Sequence, residues 1–175
     1  MIYIPISEQE FDTEQVKNAT DSLKKYGYEY TFVSSPEYAK RGSDHLKNIL
    51  INGNKIFDLA FKNKEKYICT QESSVVHLVG DNIEVMEKYL DDNPKCGAVF
   101  IDPSKNNVLR NVTRRLRWLC IMRAEAVKDF RFKLDKQDRP CDCEQLPDYL
   151  RENGWSADWL EQKEGRIFKP QVREI

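Results

Sequence analysis

Short apolar, β-branched runs alternate along this chain with segments of helical periodicity, and no other feature restricts its fold as tightly. Met1 to Ile6 reads as a first buried strand. Asp12 to Tyr26 follows as a helix with Val16, Ala19, Leu23 and Tyr26 on one face, Asp12 and Gln15 as a capping box and Gly27 as its stop. Tyr28 to Val33 reads as a second strand, broken by Ser34, Ser35 and Pro36. Ser43 to Ile51 and Asn54 to Lys62 read as two helices separated by an Asn52-Gly53 turn. Tyr67 to Cys69 and Val75 to Val79 read as strands, and Asp81 to Asp91 as a helix capped by Asp81. Gly97 to Ile101 and Leu116 to Met122 are strands, and Glu125 to Phe130 is a short helix. Glu144 to Asn153 is a helix with Pro147 in its first turn, ended by Gly154. Trp155 to Leu160 is a strand or a short helix.

Such alternation predicts an α/β fold: a mostly parallel central sheet flanked by helices on both faces, in a single compact domain over 1–175. The runs Met1–Ile6, Tyr28–Val33, Tyr67–Cys69 and Gly97–Ile101 are expected to be neighbours in it. In sheets of this kind ligands bind beyond the carboxyl ends of the strands. Chemistry is therefore expected at Ser7-Glu8, Ser34-Ser35, Thr70 to Ser74 and Asp102-Pro103.

Composition excludes several classes. A charged fraction of 33% that nets to -1 fits neither a basic tail that binds nucleic acid by charge alone nor an acidic disordered chain. No run approaches the ~20 apolar residues of a membrane helix. The start, MIYIPISEQEF, lacks the basic and apolar regions of a signal peptide. Five cysteines at irregular spacing do not form a disulfide framework, and a reducing cytoplasm is the simplest setting.

The stretch KYICTQESSVVHLVGDNIEVMEKYLDDNPKCGAVFIDP, Lys66 to Pro103, resembles the middle of the inverting, family-two glycosyltransferases of GT-A fold. There a strand delivers an Asp-x-Asp motif, and a helix and an "Asn-Pro, Gly-Ala-Val" strand start follow; Asn93-Pro94-Lys95-Cys96-Gly97-Ala98-Val99 is similar to that start. Cys120 to Ala126 resembles the family's strand-to-helix step, and Asp142 to Gly154 its segment carrying the catalytic base. In order, the resemblance runs from the IPIS strand to Leu160.

It implies a GT-A-like (Rossmann-like) fold and inverting transfer of a sugar from a nucleotide-sugar donor, of UDP or GDP type, to a hydroxyl acceptor. Glu72-Ser73-Ser74 stands at the Asp-x-Asp position, where hard oxygens hold Mn²⁺ or Mg²⁺. Glu72 supplies a carboxylate, whereas Ser74 stands in place of the family's main metal ligand, so the motif is degraded and a metal at Glu72 weakly held. Ser34 and Ser35 replace the Asp that reads the base, and serine can still hydrogen-bond a base edge. Ser7, after the first strand, joins them in the donor-binding set. Asp142 is the expected base for the acceptor hydroxyl, with Glu144 the alternative; both also suit a helix N-terminus electrostatically.

Arg110, Arg114, Arg115, Arg117 and Arg123 form a basic cluster, of which Arg115 and Arg117 are expected at the donor phosphates, the others on a solvated face or in salt bridges. Cys141 and Cys143 have no partners at zinc spacing, and His77 is expected to pack or hydrogen-bond near a strand end. Trp155 reads as core, while Trp118 and Trp159 are left between core, subunit contact and sugar platform. The competing reading is a non-catalytic GT-A-like domain used for binding or assembly, as an oligomer or in a larger complex or virus particle. The serines at 34, 35, 73 and 74 favour it.

Overall fold

The computed structural model describes residues 1–6, 13–34, 43–102, 119–133, 142–161 and 167–168. The elements are β1 (Ile2–Pro5), α1 (Glu14–Lys25), β2 (Tyr30–Val33), α2 (Ser43–Lys62), β3 (Tyr67–Gln71), β4 (Val76–His77) and α3 (Asn82–Asp92). There follow β5 (Cys96–Asp102), β6 (Leu119–Arg123), a 3₁₀ turn (Ala124–Val127), α4 (Asp142–Glu152), β7 (Ser156–Glu161) and β8 (Ile167–Phe168).

Six strands form one sheet in the order β2-β1-β3-β6-β5-β7. The pairs β1–β2, β1–β3 and β5–β7 are parallel, and β6 is antiparallel to both its neighbours, β3 and β5. Five strands therefore point one way and β6 alone is reversed. The parallel, two-face-covered sheet is as expected, except that β6 separates β5 from β3. The short pair β4–β8 forms a second, antiparallel sheet, so the Val75–Val79 run lies outside the main one.

Side chains alternate across the sheet between two cores. Tyr3, Ile68, Ala98, Phe100, Cys120 and Met122 meet Ile56, Phe57 and Ala60 of α2, the 3₁₀ turn, and Leu146 and Leu150 of α4. Ile2, Ile4, Cys69, Val99, Ile101, Leu119 and Ile121 meet Leu23 of α1 and Met86 and Leu90 of α3 on the opposite face. Helices thus cover both faces of the sheet.

Several local expectations are corrected. The two helices around Asn52-Gly53 are one helix, Ser43–Lys62. Gly53 is helical because Phe132 packs over it: a Cβ there would lie 2.6 Å from the ring. Asn52 is wholly buried, which a solvent-facing turn residue would not be. Thr13 caps α1, its side chain accepting from the Val16 N–H; Asp12 lies outside the described residues. Asp81 occupies the N-cap of α3 without a side-chain capping bond. α4 begins at Asp142, so Pro147 sits inside the helix instead of in its first turn. Gly27 and Gly154 end α1 and α4 with φ of 74° and 79°, as a left-handed stop requires.

Candidate functional site at the carboxyl edge

Pro5, Val33, Gln71, Asp102 and Glu161 end the five co-directed strands, so one edge of the sheet gathers their outgoing loops. At the end of β3 the chain turns sharply, the Val75 N–H donating to the Glu72 carbonyl at 3.2 Å. Val75 is buried, and Glu72, Ser73 and Ser74 are half-buried. Glu72 and Ser74 therefore share one tight turn at the carboxyl edge. The donor set is hard oxygen, which suits Mn²⁺ or Mg²⁺, but it contains one carboxylate. Among the described residues no three His, Cys, Asp or Glu side chains gather as metal ligands. The set fits an ion shared with a diphosphate that brings its own oxygens, and does not fit one held by these residues alone.

Beneath this turn lies a buried polar network. Gln71 is fully buried and His77 is 2% exposed. Asn82 Nδ2 lies 2.9 Å from His77 Nδ1 and also faces the Val79 carbonyl, so Nδ1 accepts and Nε2 carries the ring proton. Nε2 then donates to Gln71 Oε1 at 2.7 Å, and Gln71 Nε2 donates to the Val75 carbonyl at 2.9 Å. Burial lowers the His77 pKa to about 4, which keeps the ring neutral. The expectation that His77 hydrogen-bonds near a strand end is met. That it closes a relay to the Glu72 turn went unread, although an isolated Gln at the end of an apolar strand was the available signal.

Ser34 follows β2 and its carbonyl accepts from Lys55 Nζ at 3.3 Å. Phe32, Val33, Ser34, Lys55, Asp58 and Leu59 line an open groove of ≈ 420 Å³ between β2 and α2. Asp58 is held by Arg131 at 2.7 Å. α4 leads through a short turn, with the Trp155 N–H on the Leu150 carbonyl, into β7, whose Ser156 starts beside Cys96. α4, whose Leu146 and Leu150 pack on the core, opens with its first turn at Asp142. Asp142 and Glu144 belong to that turn; their side chains, and Ser7, Ser35, Arg115 and Arg117, lie outside the described residues, as do Trp118, Cys141 and the side chain of Cys143.

Other candidates have structural employment. Arg123 is 8% exposed; its guanidinium donates to the Cys96 carbonyl at 3.3 Å and the Leu90 carbonyl at 2.5 Å. Trp155 packs on the core beside α4. Trp159 is 40% exposed and its ring centroid lies 5.3 Å from that of Phe100. Cys69, Cys96 and Cys120 are buried thiols outside any disulfide; burial pushes the Cys69 thiol far up and that of Cys96 to about 11, so neither of these two is a ready nucleophile.

Sheet order, the reversed strand and helices on both faces make this a GT-A-like fold. It is similar to the mannosyltransferase PcManGT from Pyrobaculum calidifontis, solved with GDP-Man and Mn²⁺ (TM-score 0.64, 10% identity, 92% of this chain and 54% of that one). It is also similar to A197 from STIV (TM-score 0.56, 13% identity, 91% and 80%). A third is a glycosyltransferase involved in the glycosylation of the major capsid of PBCV-1 (TM-score 0.57, 10% identity, 91% and 81%). No family model and no curated protein matches the chain. Among the described residues no helix is long and apolar enough to cross a membrane.

Proposed function

We propose that the chain transfers a sugar from a nucleoside-diphosphate donor, of UDP or GDP type, to a hydroxyl acceptor with inversion at the anomeric carbon. The observation that carries this reading is the tight turn after β3, which holds Glu72 and Ser74 together at the carboxyl edge of a GT-A-like sheet. Ser7, Ser34 and Ser35 would hold the nucleoside, and Arg115 and Arg117 the phosphates. Asp142, with Glu144 as the alternative, would take the proton of the acceptor hydroxyl as its oxygen bonds to the anomeric carbon. The bond from that carbon to the diphosphate oxygen breaks on the opposite face, and the nucleoside diphosphate leaves with the electron pair. Glu72 would help to hold a Mn²⁺ or Mg²⁺ ion, which would neutralise the leaving charge. A similar fold solved with GDP-Man and Mn²⁺ supports the donor class.

The second reading is a catalytically silent GT-A-like scaffold used for binding or in a larger assembly. Ser74 at the second acidic position favours it, and the likeness to a viral A197 is compatible with it. Calorimetry with a panel of UDP- and GDP-sugars, with and without Mn²⁺, separates the two. The enzyme reading expects saturable binding of one donor and slow hydrolysis of it, lost in Asp142→Asn while binding persists. Absence of binding across the panel rejects it in favour of the scaffold.

A further inference from the structure

The turn that carries Glu72 and Ser74 is ordered from below by side chains that no solvent reaches. Gln71 and Asn82 are 0% exposed and His77 2%. The Gln71 amide spans the turn from the inside, donating to the carbonyl of Val75 at 2.9 Å. A free amide could rotate about its terminal torsion, which is broad for glutamine. Here the His77 Nε2–H on Gln71 Oε1, at 2.7 Å, fixes which end of the amide faces Val75. Asn82, opening α3, fixes the tautomer of His77 from the other side at 2.9 Å. The His77 backbone N–H is tied to Ser22 Oγ of α1 at 3.0 Å, and the imidazole stands 5.3 Å from the Tyr28 ring, so the histidine is anchored on both backbone and ring. A directional chain of hydrogen bonds thus runs from α3 through His77 and Gln71 to the turn. Every link is buried, where an unmade bond costs most.

We propose that Gln71 and His77 are positioning residues for the donor site: they hold the 72–75 turn in the one conformation that presents Glu72 and Ser74 to the diphosphate of a nucleotide. This rests on the donor reading given above. Neither residue touches donor or acceptor; they act through the turn.

The test uses the full chain, titrated with UDP and with GDP in the presence of Mn²⁺, together with hydrogen exchange of the Val75 amide without any ligand. His77→Phe keeps a ring of similar shape and removes both ring nitrogens. His77→Gln restores a donor to Gln71. His77→Phe is expected to weaken nucleotide binding about tenfold, the value of one buried hydrogen bond, and to speed Val75 exchange by a similar factor. His77→Gln is expected to bring both back toward the unmodified chain, which a general loss of stability would not do. Should His77→Phe not fold, Gln71→Met, which keeps length and removes the amide, carries the same expectation. A folded His77→Phe or Gln71→Met chain with unchanged affinity and unchanged Val75 exchange overturns the proposal and leaves the donor reading standing. Binding of neither nucleotide by the unmodified chain overturns the donor reading and the proposed purpose of the clamp with it, whereas Val75 exchange judges the clamp itself.

Discussion

Asn54 and Phe132 exchange two hydrogen bonds: Asn54 Nδ2 donates to the Phe132 carbonyl at 3.0 Å, and the Phe132 N–H donates to Asn54 Oδ1 at 2.7 Å. One side chain on α2 thereby supplies both backbone partners of a residue beyond β6. The adjacent Gly53 makes room for the Phe132 ring, which packs on Phe57 and Phe130. Asn54→Ala is expected to lower stability by about 2 kcal/mol, because it strands two backbone groups at once. Gly53→Ala gains helix propensity but overpacks the ring, and is expected to lose about 1 kcal/mol net. Urea unfolding of the two variants checks both; a stabilised Gly53→Ala would show that the ring moves aside freely.

Asn52, one turn before Ile56 on the inward face of α2, is fully buried, and neither of its side-chain polar atoms has a partner among the described residues. An orphaned amide in an apolar setting is a standing cost. Asn52→Leu keeps the branching at Cγ and removes both polar groups, and should therefore raise stability by about 1 kcal/mol, the added volume offsetting part of the gain. A lowered thermal midpoint would mean that a buried water satisfies the amide.

Arg123 joins the end of α3 to the start of β5 through two carbonyls, Leu90 and Cys96. A guanidinium presents a rigid fork that a lysine ammonium does not. Arg123→Ala is expected to cost about 3 kcal/mol and Arg123→Lys at least half as much, since one of the two carbonyls loses its donor. Equal stability of Arg123→Lys and the unmodified chain in denaturant titrations would refute the two-carbonyl account.

His77 gives stability a pH dependence of definite sign. Its folded pKa, about 4, lies below the ordinary 6.5, so between these values the unfolded chain binds the extra proton. The contribution of the neutral ring is complete above pH 6.5, shrinks as pH falls to about 4, and is constant below that. Its full size is about 3 kcal/mol at most. His77→Gln should remove this segment of the stability–pH curve. An unchanged slope between pH 6.5 and 4 in that variant would assign it to other groups.

Metal affinity should depend on what the donor brings. With Ser74 at the second position the turn offers one carboxylate, and the nucleotide-free chain is expected to bind Mn²⁺ weakly. A nucleoside diphosphate adds oxygens and should raise the apparent affinity strongly. Ser74→Asp should tighten Mn²⁺ without nucleotide, and the comparison by calorimetry is direct. Tight Mn²⁺ binding by the unmodified, nucleotide-free chain would place the ligands elsewhere.

Periodicity determined the helices and strands themselves, because burial on one face leaves a readable stripe: Val16, Ala19 and Leu23 on α1, Met86 and Leu90 on α3, and the unbroken run of β5. The covered, mostly parallel sheet, and the edge where its outgoing loops gather, follow from their alternation. Local spacing could not decide which strand lies beside which, and β6 entered between β3 and β5 through contacts far apart in sequence. Nor could it distinguish Asn52-Gly53 as turn from Asn52-Gly53 as buried helix, since Phe132, some eighty positions later, is what makes the glycine necessary. Arg123 read as one cation of a cluster until the fold enclosed it between two carbonyls. That Glu72, Ser73 and Ser74 follow the end of a strand was legible from the polar run after Tyr67–Cys69. The Gln71–His77 clamp beneath them was not, because hydrogen bonds between buried side chains depend on directions in space that a one-dimensional pattern does not carry.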